Sequence, residues 1–317
     1  MSFRCRVCGA DRATPRLAFG EYRVVECEGC GLLSTDPLMS DAERARLYDA
    51  YYGSAEAARF RSRIAEAAMR WFRRRRAREL ARRLRGVEGR RILDVGCGRG
   101  EMLGALQRRG ADVYGTQLSE AAARVAASRI GPDRVFVGEL VDARYPDAFF
   151  DCVTIWHVLE HVANPLQLLR EVARVLKPGG FLYVEVPNAG GLAARTLRRA
   201  WLAYDVPHHL YHFTPDTLAK TAGRAGLRRT TDSHFSLEYS PPTLLQTVLN
   251  ASIGADNLLF DRLAYSSGRG NAHRASGARL ALHAAAAVAL SGPVFLASVV
   301  LAAAGVGDTY GAYFQHA

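Results

Sequence analysis

At 317 residues, 49% hydrophobic and 23% charged, the chain has enough length for a sizeable core and about two domains, and it is too apolar for a disordered tail. Its formal net charge of +11 has one source: Arg59 to Arg91 holds fourteen Arg against three acids, and the rest of the chain is neutral overall. Such an excess fits a solvated helix face, an anionic membrane surface, a phosphate-bearing substrate or RNA. Six cysteines exclude a dense disulfide framework, and no apolar run follows a basic start at the N-terminus, so a reducing, cytoplasmic setting is expected.

Cys5-Arg-Val-Cys8 is followed after 18 residues by Cys27-Glu-Gly-Cys30, and each pair leads directly into a glycine. This spacing predicts a zinc ribbon over residues 1–38, with one structural Zn²⁺ held by Cys5, Cys8, Cys27 and Cys30. A closed four-thiolate site leaves no position for substrate, so its expected role is folding. Residues 39–88 read as an Arg-rich helical segment, with Leu47, Tyr51, Phe60, Ile64, Ala68, Trp71, Phe72, Leu80 and Leu84 recurring at three- and four-residue steps. From Arg90 the pattern alternates strand and helix. Strands are expected at 91–95, 113–116, 135–137, 152–155 and 181–186, and the helix from Pro165 ends at Lys177-Pro-Gly-Gly180. That alternation predicts an α/β, Rossmann-like, doubly wound sheet with its ligand site at the carboxyl ends of the strands.

The turn after the first core strand reads Asp94-Val-Gly96-Cys-Gly98-Arg-Gly100, a G-x-G-x-G spacing rather than the G-x-G-x-x-G of a dinucleotide site. Together with Leu93 it resembles motif I of the class I S-adenosylmethionine-dependent methyltransferases. Phe150-Asp151-Cys-Val-Thr-Ile-Trp-His-Val-Leu-Glu-His161 and Arg174-Val-Leu-Lys-Pro-Gly-Gly180 are similar to that family's fourth- and fifth-strand motifs in order and spacing. The resemblance implies a seven-stranded methyltransferase sheet in 89–239 and 307–317, S-adenosylmethionine as cofactor, and contacts from Asp94, Gly96, Cys97, Gly98, Gly100, Gln117, Glu139, Leu140, Trp156 and His157. Gln117 stands where the family usually has an acid for the ribose hydroxyls.

His157, Glu160 and His161 form H-x-x-E-H, which alone would suggest a zinc protease; its place after a buried strand in the methyltransferase order argues against that. Pro207-His208-His209-Leu-Tyr-His212-Phe-Thr214 lies after the fifth strand, on the acceptor side implied by the family. His157, His161, His208 and His209 are therefore candidates for the general base. Alternatively Glu160, His161 and one of His208, His209 or His212 hold a divalent ion, or the histidines only satisfy backbone groups. The wider pattern around Trp201 and the histidines resembles a bacterial subgroup with small, sugar or lipid-carried acceptors. An RNA methyltransferase with zinc-ribbon recognition and a silent cofactor-binding module are the rival readings; with no interleaved aromatic platform, nucleic acid is the weaker partner.

A sixth strand is expected at 227–238, and the last, at 308–315, comes only after an apolar insertion at 240–306. Within it, Leu280 to Gly307 carries no Asp, Glu, Lys or Arg, and Ser291-Gly-Pro293 predicts a division into a helical hairpin. That hairpin is expected to serve a peripheral membrane contact, a homodimer interface or core.

Overall fold

The computed structural model describes residues 3–40, 43, 63–254, 257–264 and 277–317. Leu47, Tyr51 and Phe60, and the side chain of Ile64, lie outside the described residues. In chain order the elements are β1 (Ala13–Phe19), β2 (Tyr22–Cys27), β3 (Leu33–Asp36), α1 (Arg63–Arg83), β4 (Arg91–Val95), α2 (Glu101–Gln107), β5 (Asp112–Gln117), α3 (Glu120–Ile130), β6 (Val135–Val137), β7 (Phe150–Trp156), α4 (Pro165–Val175), β8 (Leu176–Pro187), α5 (Leu192–Leu197), β9 (Tyr211–His212), α6 (Pro215–Arg224), β10 (Leu227–Ser233), α7 (Ser240–Ile253), α8 (Leu258–Ala264), α9 (Gly277–Ala303) and β11 (Thr309–His316).

Seven strands form the main sheet in the order β10-β11-β8-β7-β4-β5-β6, parallel except for β11, which runs antiparallel to both neighbours. This is the Rossmann-like methyltransferase sheet implied by the sequence. Ile92, Leu93, Cys152, Val153, Ile155, Leu182 and Val184 are completely buried, as central parallel strands covered on both faces require. Local chemistry sets the helix starts. Ser119 accepts the Ala122 N–H, Asn164 accepts the Gln167 N–H ahead of Pro165, and Thr214 and Thr217 cap each other's backbone N–H ahead of Pro215.

Three expectations change. The buried line of α1 runs through Arg76, Ala77 and Leu80, whereas Ala68 and Trp71 are exposed. The predicted helical hairpin is one continuous helix, α9, that passes through Pro293. Proline removes one intrahelical hydrogen bond, but His283, Ala287, Val294 and Ser298 bury one stripe on both sides of it, and packing along α7 holds the helix together. Finally, the N-terminal ribbon is not a detached unit. Its sheet runs β1-β2-β3-β9, so its fourth strand comes from the histidine segment of the core. Cys5, Cys27 and Cys30 also share one apolar cluster with Leu210, Phe213 and Leu218.

Candidate active site

A cavity of about 1080 Å³ opens at the carboxyl ends of β4, β5 and β7. Asp94, Gly96, Cys97, Gly98, Gln117, Glu139, Leu140, Trp156 and His157 all line it. The turn after β4 doubles back because the Gly96 and Cys97 N–H groups both donate to the Thr116 carbonyl, and Gly96, Gly98 and Gly100 have φ of 71°, 58° and 72°. A Cβ on Gly98 would meet nothing within 4 Å, which leaves a bare backbone cradle facing the cavity. Gly100 is a correction. It does not line the cavity; it caps α2, and a Cβ there would lie 3.1 Å from the Ala126 Cα.

Burial pushes the Asp94 carboxyl up to about 6, although the Thr154 hydroxyl donates to it at 2.7 Å. Gln117 Oε1 accepts the Ser119 N–H at 3.3 Å, so its amide NH₂ is the group left to meet a ligand oxygen. The indole N–H of Trp156 is buried without a hydrogen-bond partner among the described residues. A glycine cradle, an amide donor and an unpaired indole fit the polar edges of S-adenosylmethionine.

One wall of this cavity is built from the Arg-rich stretch, for which the sequence offered a solvated face, a membrane surface or a phosphate contact. Arg73 and Arg76 turn inward from α1 and both pair with Glu238, at 2.7 and 2.6 Å. The Arg76 guanidinium lies 4.1 Å from the Trp156 ring centroid. These two arginines are therefore not a solvated or membrane-facing surface. Beside them His157, at φ 50°, places Nε2 3.1 Å from Glu185 and Nδ1 3.3 Å from Glu160. Burial alone would lower its pKa, but Tyr239 and the two carboxylates raise it to about 10. The same ion pairing holds Glu160 and Glu185 low against burial. His157 thus stands as an imidazolium clamp between two buried acids, which removes it from the candidates for a neutral-pH base.

The other three histidine candidates converge. His161 Nδ1–H donates to the His208 carbonyl at 3.0 Å and His209 Nδ1–H to the Ala203 carbonyl at 2.8 Å, so each presents Nε2 as an acceptor. Burial and the neighbouring His209 push His161 down to about 4, keeping it neutral. His208 Nδ1 lies 3.0 Å from Asp205, whose carboxyl is held well below its ordinary range by that ring despite burial. Asp205, three residues ahead of His208, was visible in sequence as a possible orienting acid. One ligand atom each from Glu160, His161 and His209 lie within 4.8 Å of one another, and Glu160 is at the same time paired with His157. His212 does not line the cavity; it sits behind His209 with its pKa pushed down to about 3 by burial and by His209.

Away from the cavity, the four ribbon sulfurs also lie within 4.8 Å of one another, with Cys5–Cys30 at 3.7 Å and Cys8–Cys27 at 3.4 Å. Tetrahedral Zn–S bonds of ~2.3 Å would put sulfurs roughly 3.8 Å apart, so the cluster fits such an ion.

Comparison with known proteins agrees with this geometry. A family model described as "Methyltransferase domain" matches residues 68–231, just over half of the chain. The chain is similar to the ubiquinone biosynthesis O-methyltransferase of Alkalilimnicola ehrlichii, 40% identical over 116 residues that make up 34% of this chain and 46% of that protein. It is also similar to the protein of the same name from Thiobacillus denitrificans, 33% identical over 168 residues, 50% of this chain and 72% of the relative. The chain spans about half the length of the first of these curated relatives. Among solved structures the (4+2)-cyclase SpnF superposes with a TM-score of 0.53 at 20% identity, covering 88% of this chain and 98% of that one. That likeness speaks for the fold alone, since one fold hosts different reactions. The matched stretch carries the glycine turn, the Gln117 strand end and the His157–His161 corner, and the chain belongs to the methyltransferase domain family.

Proposed function

We propose that the chain transfers the methyl group of S-adenosylmethionine to an oxygen of a small acceptor bound at the histidine end of the cavity. The observation that carries this reading is that one cavity joins the glycine cradle to His161, His208 and His209. The names of the curated relatives support oxygen over nitrogen. When bound, the cofactor supplies a methyl group already activated by the sulfonium. The protein's tasks are then to align the partners and remove the acceptor proton. Backbone at Gly96 to Gly98 seats the cofactor, the Gln117 amide meets ribose hydroxyls, and Glu139 and Leu140 flank the adenine. His208, oriented by Asp205, takes the acceptor proton; the oxygen bonds the methyl carbon, and the electron pair of the broken C–S bond stays on sulfur. Zinc at Cys5, Cys8, Cys27 and Cys30 is part of the same proposal and does no chemistry.

Incubation with methyl-labelled cofactor and small-molecule, glycan, lipid and RNA fractions of a lysate tests this. Label is expected in a small-molecule, glycan or lipid product, and His208→Asn should lower turnover by ~10²-fold while cofactor affinity holds. Label confined to RNA, or none at all, overturns the reading. The convergence of Glu160, His161 and His209 favours a second one, in which these three hold a divalent ion that acidifies the acceptor hydroxyl. It predicts that added Mg²⁺ or Mn²⁺ raises turnover and that His208→Asn stays active.

We also propose that the acceptor is carried on a membrane. Support comes from the outer face of α9, where Val288, Leu296 and Val300 are 78%, 65% and 58% exposed. An 18-residue stretch of the helix has a mean hydropathy of 2.1, and the 27-residue helix is ~40 Å long. Its end is tied to α5 by the Leu192 N–H donating to the Val306 carbonyl at 2.9 Å, and Arg195, Arg198 and Arg199 are exposed just beyond. An apolar face with flanking cations suits an anionic interface. In flotation the protein should follow phosphatidylglycerol vesicles more than zwitterionic ones, and Leu296→Glu with Val300→Glu should return it to the soluble fraction. A protein that stays soluble at every composition, and forms a dimer broken by those changes, makes α9 a homodimer interface instead.

A further inference from the structure

Thr35 lies on β3, the ribbon strand that follows the second cysteine pair, and is fully buried. The cysteine turn closes onto that strand through the Cys27 N–H, which donates to the Leu32 carbonyl at 3.0 Å. Thr35 meets the histidine segment three times. Its N–H donates to the Leu210 carbonyl at 2.9 Å, its hydroxyl donates to the His209 carbonyl at 2.6 Å, and the same oxygen lies 3.2 Å from His212 Nε2.

A hydroxyl has one proton, and here it is committed to a carbonyl that can only accept. His212 must therefore donate from Nε2–H to Thr35 Oγ1, which leaves Nδ1 unprotonated. That Nδ1 is buried and has no hydrogen-bond partner among the described residues, so no contact there favours the other tautomer. On its opposite side the segment is tied to the cavity corner. The Leu210 N–H donates to the Glu160 carbonyl at 2.8 Å, and His161 Nδ1–H to the His208 carbonyl at 3.0 Å. Residues 208–212 are thus clamped between the 159–161 turn and a strand of the ribbon.

We propose that Thr35 is a positioning residue for the acceptor end of the site, and that the thiolate-bound ion, by holding β3 in place, sets where His208 and His209 stand. The relay His212 Nε2–H to Thr35 Oγ1–H to the His209 carbonyl is the contact through which the ribbon acts. The proposal rests on the reading of these histidines as acceptor-side groups, but its test does not require an acceptor.

The test uses the full zinc-loaded chain with ¹⁵N-labelled histidine, read by NMR. His212 should appear as the Nε2–H tautomer. Thr35→Val, which keeps shape and loses the hydroxyl, should abolish that preference and shift the His209 ring signals, with His283 and His316 unmoved and cofactor affinity by calorimetry unchanged. Thr35→Ser should restore both. Chelation of the native chain should release zinc and shift the same two histidines, a result that stands even if Thr35→Val fails to fold. An Nδ1–H tautomer at His212, unmoved His209 and His212 signals in Thr35→Val, or unmoved signals after zinc release, each overturns the proposal. If no fraction yields a methylated product, the reaction reading falls while the tautomer result still decides this one. Once an acceptor is found, Thr35→Val should lower kcat roughly tenfold through misplacement.

Discussion

Gly96→Ala should abolish S-adenosylmethionine binding, with at least ~10²-fold loss in affinity by calorimetry. Two costs coincide at this position. The backbone holds φ at 71°, where a side chain costs ~1–2 kcal/mol. The added Cβ would also lie 2.5 Å from Val158 Cγ2, with Cγ1 at 3.3 and Cβ at 3.5 Å, so Val158 must leave its rotamer or the loop must shift. Either change disturbs the cradle. Gly98→Ala is the contrast: its φ is 58° but nothing lies within 4 Å, so it should weaken binding by filling the cradle while costing only ~1 kcal/mol of stability. Cofactor affinity in Gly96→Ala close to that of the parent would show that the loop is not the seat.

His157→Gln should lower stability by ~3–5 kcal/mol, because it strands two buried carboxylates without their shared cation. For a chain of this size that is roughly a 10 °C fall in Tm. The sign with pH follows from the raised pKa. The stabilisation is fully present below the unfolded value near 6.5 and is lost as pH rises through about 10, so parent and variant melting curves should converge across that window. A base would behave otherwise: its replacement would leave Tm near the parent's and remove turnover. A variant with parental Tm at pH 6 would mean that Glu160 and Glu185 do not depend on His157.

Much of the fold was legible because its determinants are local. Two C-x-x-C turns, a glycine turn between a buried strand and a helix, and Pro at the first position of α4 each act over a few residues, and the structure places them as read. What went unread involves partners distant in sequence or residues that break the apolar-inside rule. Arg73 and Arg76 face inward because Glu238 meets them, 165 residues from Arg73. Asp308, pushed up to about 6 by burial, joins the cavity wall from the far end of the chain.

Spacing of like residues within the chain therefore determined the sheet and the thiolate cluster, and resemblance to a known family pointed to the residues that line the glycine end of the cavity. Packing alone decided the rest. One buried stripe, His283, Ala287, Val294 and Ser298, carries α9 through Pro293 as one helix, since the interaction with α7 spans the break that a local reading sees. Ion pairing in a dry corner turned His157 from a base into a clamp. The pairing of β3 with β9 brought Thr35 against His209, 174 residues away, and joined the ribbon to the histidine end of the cavity, because β3 needs a partner for its exposed edge and only the folded core supplies one.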